Sequence, residues 1–159
     1  QLLEYISECS NNGYQVFSHN QAPDGNFVSP TLIELNSIDD INEEKFGPIL
    51  HVIKYKTDEL DQILNALKNK QYGLTMGVHS RIESKADDII NKSIAGNTYI
   101  NRDIVGAVVG SQPFGGTGLS GTGFKAGGPN YLLQFVDERS ITKNTVAFGG
   151  NAEILNLED

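Results

Sequence analysis

The sequence predicts an α/β fold built on a parallel βαβαβ unit, with an edge or oligomerisation strand near the C-terminus. Three observations carry this. Apolar runs rich in Val, Ile and Thr alternate with two segments of helical period in the middle of the chain. The loops between them are short, as parallel strands joined by right-handed crossovers require. A crowd of glycines follows the third strand, at the carboxyl end where open α/β sheets bind ligands. Of the 17 glycines, nine fall between Gly106 and Gly128.

Residues 1–9 read as a helix, with Leu2, Leu3 and Ile6 on one face. Residues 14–19 and 31–35 read as strands, separated by the turn-rich Ala22-Pro23-Asp24-Gly25-Asn26. The apolar run 49–55 is the first strand of the central unit. Thr57 or Asp58 then caps a helix whose Leu60, Ile63, Leu64 and Leu67 follow the spacing of one buried face. Lys68 and Lys70 lie at its C-terminal end, where positive charge is favourable, and Gly73 is expected to end it. Residues 74–80 form the second strand. Residues 83–93 form the second helix, with Ile82, Ala86, Ile89 and Ile90 on one side and Gly96 past its end. Residues 97–101 form the third strand. Farther on, 129–136 reads as a helix with Pro129 in its first turn. Residues 140–148 alternate with β-branched residues, as an edge or exchanged strand does, and 149–159 show no period. The expected domain division is 1–139 and 140–159.

Composition excludes several classes. Twelve Lys and Arg stand against 20 Asp and Glu, a net charge of −8, the opposite of a nucleic-acid footprint. No stretch approaches the roughly 20 apolar residues of a membrane span. The single cysteine, Cys9, forbids an internal disulfide framework and points to a reducing compartment, as the cytoplasm is. The chain opens at Gln1 on a helix already in progress, so a cut inside a longer polypeptide is expected, and no signal-peptide pattern precedes it.

Gly116-Thr117-Gly118-Leu119-Ser120-Gly121 is a literal G-x-G-x-x-G. The dinucleotide fingerprint needs a strand directly before it and a helix opening from it, and Gln112-Pro113-Phe114-Gly115 supplies no such strand. We expect instead a chain that runs close to a ligand, where only Gly fits. Gly127 and Gly128 precede the helix at Pro129, where exposed N–H groups attract an anion; a plain turn is the commoner outcome of such a motif. In Glu43-Glu44-Lys45-Phe46-Gly47-Pro48 one of the glutamates is placed to accept hydrogen bonds from ligand hydroxyls and Phe46 to pack on a flat ring, although an acidic loop closing on a turn is more common. His19, His51 and His79 show no paired spacing, so no metal site is expected. Cys9 is expected to be a small buried hydrophobe, since no activating base is in view.

Together these pieces resemble the aldehyde dehydrogenase superfamily. Glu44-Lys45-Phe46-Gly47-Pro48 looks like its E-x-F-G-P motif, and Pro113-Phe114-Gly115-Gly116 with Ser120, Gly121 and Gly123 looks like its P-F-G-G-x-x-x-S-G-x-G motif. The runs 99–110 and 120–129 are similar to the 1-pyrroline-5-carboxylate dehydrogenase branch. The tail 145–157 resembles the C-terminal end of the bifunctional proline utilization A family (PutA), which joins proline dehydrogenase to this dehydrogenase. The resemblance implies NAD-dependent oxidation of L-glutamate γ-semialdehyde to L-glutamate in proline catabolism. In that chemistry a cysteine thiolate attacks the aldehyde, hydride passes to the nicotinamide, and water hydrolyses the thioester.

By the same resemblance Glu44 binds the nicotinamide ribose and Phe46 flanks the nicotinamide. Gly127 and Gly128 hold the substrate α-carboxylate through backbone N–H groups, and Phe135 packs on the aliphatic part. The nucleophilic cysteine is expected upstream of Gln1, so no catalytic residue is assigned within the chain, which is expected to be a C-terminal piece inactive alone. FAD is expected only in the proline dehydrogenase part of the longer polypeptide, and a homo-oligomer is expected for that polypeptide. The other reading left open is a non-catalytic glycine-loop module that binds a nucleotide or anion, or serves in assembly.

Overall fold

The computed structural model describes residues 1–19, 22–108, 110–144 and 147. Helix α1 (Leu2–Asn11) leads into strand β1 (Gln15–Ser18), which pairs antiparallel with β2 (Thr31–Leu35). Strand β2 pairs parallel with β3 (Ile49–Ile53), giving a three-stranded sheet in the order β1-β2-β3. Its core is the face of β2 that alternates inward, Thr31, Ile33 and Leu35, with Cys9 of α1 against Ile33 and Leu35. The one polar member, Thr31, has its hydroxyl 2.9 Å from Ser18 Oγ and donates to the Ser29 carbonyl at 2.9 Å, so burial leaves no orphan. On the other face Phe17, Leu32 and Leu50 stand side by side in register, with Phe17 and Leu50 exposed.

The central unit follows. Helix α2 (Leu60–Lys70) leads through the short β4 (Tyr72–Gly73) into β5 (Thr75–Val78), then α3 (Glu83–Lys92) and β6 (Asn97–Ile100). Strands β5 and β6 are parallel, joined by α3 as expected of a βαβ crossover. The α/β class holds. The first strand of the unit, β3, takes β2 as its parallel neighbour, and no described pairing joins it to β5. Lys92 ties the two helices together, with Nζ 2.7 Å from Asp61 of α2 and 2.8 Å from Asp88 of α3.

Several local expectations are corrected. In α1 the covered residues are Leu2, Tyr5, Ile6 and Cys9, while Leu3 is 62% exposed, because a 3.6-residue period carries position 3 off the stripe. Neither Thr57 nor Asp58 caps α2. A 3-10 turn, Thr57–Glu59, precedes it, and the Glu59 carboxylate accepts the Lys56 N–H at 2.7 Å. The left-handed residue that ends α2 is Gln71, φ +61°, and Gly73 belongs to β4. Ile82 is exposed rather than packed with Ala86. The 129–136 segment forms a 3-10 helix, Tyr131–Phe135, with no buried residue. Without an apolar face to bury, so short a segment lacks the packing that sustains an α-helix. Residues 140–144 form no strand within the chain, and most of the remaining 140–159 region lies outside the described residues.

Candidate functional site

The E-x-F-G-P segment is the loop that enters β3. Glu44 and Phe46 line one cleft of about 710 Å³ against α1, together with Glu4, Tyr5 and Glu8. Phe46 is 83% exposed, an aromatic face without cover. Lys45 anchors the loop by pairing with Glu43 and lying 4.6 Å from the centroid of the Tyr5 ring. The paired ammonium holds the Glu43 carboxyl below its ordinary range. Tyr5 Oη in turn lies 2.7 Å from His51 Nε2 on β3. Burial pushes the Tyr5 phenol up and the His51 imidazole down, so the neutral forms are favoured. The charged side chains lining the cleft are four carboxylates, Glu4, Glu8, Glu43 and Glu44, against the ammonium of Lys45, which is paired with Glu43. Such a set accepts hydrogen bonds from hydroxyls and repels phosphate.

The glycine loop is anchored to β6. Buried Asn97, 9% exposed, donates from Nδ2 to the Pro113 carbonyl at 3.0 Å and accepts the Gly115 N–H on Oδ1 at 3.0 Å. The loop then folds back on itself. Phe114 and Ala126 exchange backbone hydrogen bonds of 3.0 and 2.9 Å. Strand β7 (Thr117–Gly118) pairs antiparallel with β4, and Lys125 Nζ donates to the Gly96 carbonyl. A Cβ on Gly96 would strike the Gly115 carbonyl, one on Gly116 the Ser120 carbonyl, and one on Gly118 the Gln71 carbonyl. At these positions the close approach expected of a ligand is made by the chain's own backbone. Gly106 and Gly110 are different, with positive φ and open space around them.

Gly127, φ +71°, and Gly128 form the turn that leaves this loop. The Gly128 N–H donates to the Lys125 carbonyl at 3.0 Å, and the Gly128 carbonyl accepts from Tyr131 at 3.1 Å. Tyr131 packs edge to face on Phe135 at 5.6 Å, which links Phe135 to the same turn. Thus Glu44 and Phe46 share one cleft, Gly128 and Phe135 share one turn, and the two pairs stand on separate loops. Asn97 was not singled out in the sequence; its one signal is a polar amide opening a buried strand directly after Gly96. Cys9 is 5% exposed inside the core, as expected of a packed thiol. Among the described residues no group of three or more His, Cys, Asp or Glu is arranged to hold a metal ion. No helix there is long and apolar enough to cross a membrane.

The aldehyde dehydrogenase family model matches residues 1–141. The bifunctional protein PutA of Klebsiella aerogenes is 53% identical over 115 residues, 72% of this chain and 9% of that protein. The 1-pyrroline-5-carboxylate dehydrogenase of Oceanobacillus iheyensis is 35% identical over 148 residues, 90% of this chain and 28% of that protein. Among solved structures, a mutant of Bradyrhizobium japonicum proline utilization A superposes with a TM-score of 0.83 at 47% identity, covering 93% of this chain and 15% of that one. A Thermus 1-pyrroline-5-carboxylate dehydrogenase with bound NAD superposes with a TM-score of 0.75 at 37% identity, covering 86% and 27%. The chain therefore spans less than a third of the length of each of these relatives.

Proposed function

The chain belongs to the aldehyde dehydrogenase family, and from that premise we propose that it is the C-terminal piece of an NAD-dependent dehydrogenase that oxidises L-glutamate γ-semialdehyde to L-glutamate. The observation that carries this reading is the pairing of two loops on one fold. One presents an uncovered carboxylate and an uncovered ring, Glu44 and Phe46. The other presents a glycine turn, Gly127-Gly128, joined through Tyr131 to Phe135.

The residues present fit the cofactor. A ribose offers hydroxyl donors, and the acidic cleft at Glu44 accepts them while leaving phosphates to be held elsewhere. The bare Phe46 ring is the surface on which a flat nicotinamide ring would pack. When bound, NAD⁺ supplies the hydride acceptor. Gly127 would offer its N–H to the substrate carboxylate, with the Gly128 N–H shared between that carboxylate and Lys125. Phe135 would cover the aliphatic carbons. The nucleophile is not supplied here: Cys9, the only cysteine, is enclosed by the sheet core. In the proposal, the longer polypeptide brings the cysteine and a FAD-dependent proline dehydrogenase, works as a homo-oligomer and resides in the bacterial cytoplasm.

The 159-residue polypeptide, mixed with NAD⁺ and the semialdehyde, should form no NADH above background. Steady NADH production would overturn its dependence on an outside cysteine. In the complete dehydrogenase, Gly128→Val should raise KM for the semialdehyde about tenfold or more, and KM for NAD⁺ far less. Equal rises would reject the carboxylate assignment.

A further inference from the structure

We infer that Asn97 is the positioning residue of the substrate loop: its carboxamide fixes the Pro113–Gly115 segment and, through it, the Gly127-Gly128 turn. The inference rests on the carboxylate reading of that turn and adds the group that sets its place. The argument is geometric. A carboxamide is the smallest side chain that both donates and accepts in one plane, and Asn97 does both to the same loop, with bonds of 3.0 Å to Pro113 and 3.0 Å from Gly115. It opens β6, so its backbone is held by parallel pairing with Thr75.

From that fixed point two short links reach the turn. Phe114 lies between the two clamped residues and exchanges both backbone hydrogen bonds with Ala126, the neighbour of Gly127. Lys125 reaches back to the carbonyl of Gly96, the neighbour of Asn97, and its own carbonyl accepts the Gly128 N–H. A displacement of Pro113–Gly115 is therefore transmitted to Gly127 and Gly128. A second amide at the other end of the same strand serves as a control. Asn101, φ +52°, donates to and accepts from Ser80 at 2.9 Å, and so pins the end of β5 without touching the glycine loop.

The test uses the complete dehydrogenase with Asn97→Ala, Asn97→Asp and Asn101→Ala. Steady-state KM is measured for the semialdehyde and for NAD⁺, and L-glutamate binding is measured by calorimetry, which needs no turnover. Asn97→Ala should raise KM for the semialdehyde and weaken L-glutamate about tenfold, with NAD⁺ changed less than about twofold. Asn97→Asp keeps the acceptor for Gly115 but turns a carboxylate oxygen on the Pro113 carbonyl, and should show the same selectivity with a rise at least as large. Either Asn97 variant that folds provides the reading. Asn101→Ala should lower thermal stability without separating the two KM values. If the Asn97 variants shift both KM values equally, or leave L-glutamate affinity unchanged, the inference falls even where Gly128→Val behaves as proposed. If Gly128→Val leaves the semialdehyde KM unchanged, the carboxylate reading itself falls.

Discussion

The two loops that carry the candidate site are built on opposite plans. The loop before β3 presents side chains: Glu44 and Phe46 face a cleft, held from behind by Lys45 on Tyr5 and Tyr5 on His51. The loop after β6 presents backbone, and nine of its residues from Gly106 to Gly128 are glycines. Its main chain is fixed by Asn97, by the Phe114–Ala126 bridge and by the β4–β7 pair. Under the proposed function, binding chemistry and fold are carried by different atoms in the first loop and by the same atoms in the second. Substitutions should therefore separate function from stability in the first loop and confound them in the second.

The sharpest way to break this contrast is within the glycines. Gly96→Ala drives a Cβ into the Gly115 carbonyl and should cost roughly 3 kcal/mol of unfolding free energy in a urea titration. Gly106→Ala meets nothing within 4 Å and carries only the penalty of a left-handed residue, φ +80°, about 1 kcal/mol. Equal costs would mean that the loop is not held by close backbone contact. Next comes the first loop. Glu44→Gln in the complete dehydrogenase should raise KM for NAD⁺ about tenfold. The same change should leave unfolding free energy within about 0.5 kcal/mol, since Glu44 is exposed. A large stability loss there would erase the distinction.

The smallest effect concerns acid. Burial lowers the His51 pKa below its ordinary 6.5, so the unfolded chain binds a proton that the folded chain resists. The stability associated with neutral His51 is complete above about pH 6.5 and is lost as pH falls through the depressed folded value. Melting temperature should decline from pH 7.5 to 5.5, and His51→Asn should flatten that part of the decline. An unchanged slope would detach His51 from the support of the first loop.

Much of this was legible in the sequence, for a physical reason. The strands and helices of the central unit show as hydrophobic periods, because each buries one face. Glu44 and Phe46 were legible because they stand in a recognisable motif whose side chains are exposed. The glycine loop was legible as a place and not as a mechanism. Nothing in the order of residues says that Gly96, Gly116 and Gly118 are met by carbonyls of the same chain, whereas Gly106 and Gly110 are met by none. Helix ends were poorly legible: Gln71 takes the left-handed position expected of a glycine, and α2 starts after Glu59 with no side-chain cap from Thr57, Asp58 or Glu59. Both are settled by where the chain goes next, which is tertiary information. Asn97 escaped notice because a single amide in a strand has no period, and its partners lie 16 and 18 residues away.

The enclosure of Cys9 on the inner face of α1 gives the molecule a built-in clock. One thiol, 5% exposed, lies against Ile33 and Leu35 on the middle strand of the first sheet. A thiol reagent reaches it only when α1 lifts from that sheet, so the rate of alkylation under native conditions counts those openings. Every other side chain is silent to the reagent. The count therefore reports the local lifting of the helix behind the Glu44 cleft, without any added label.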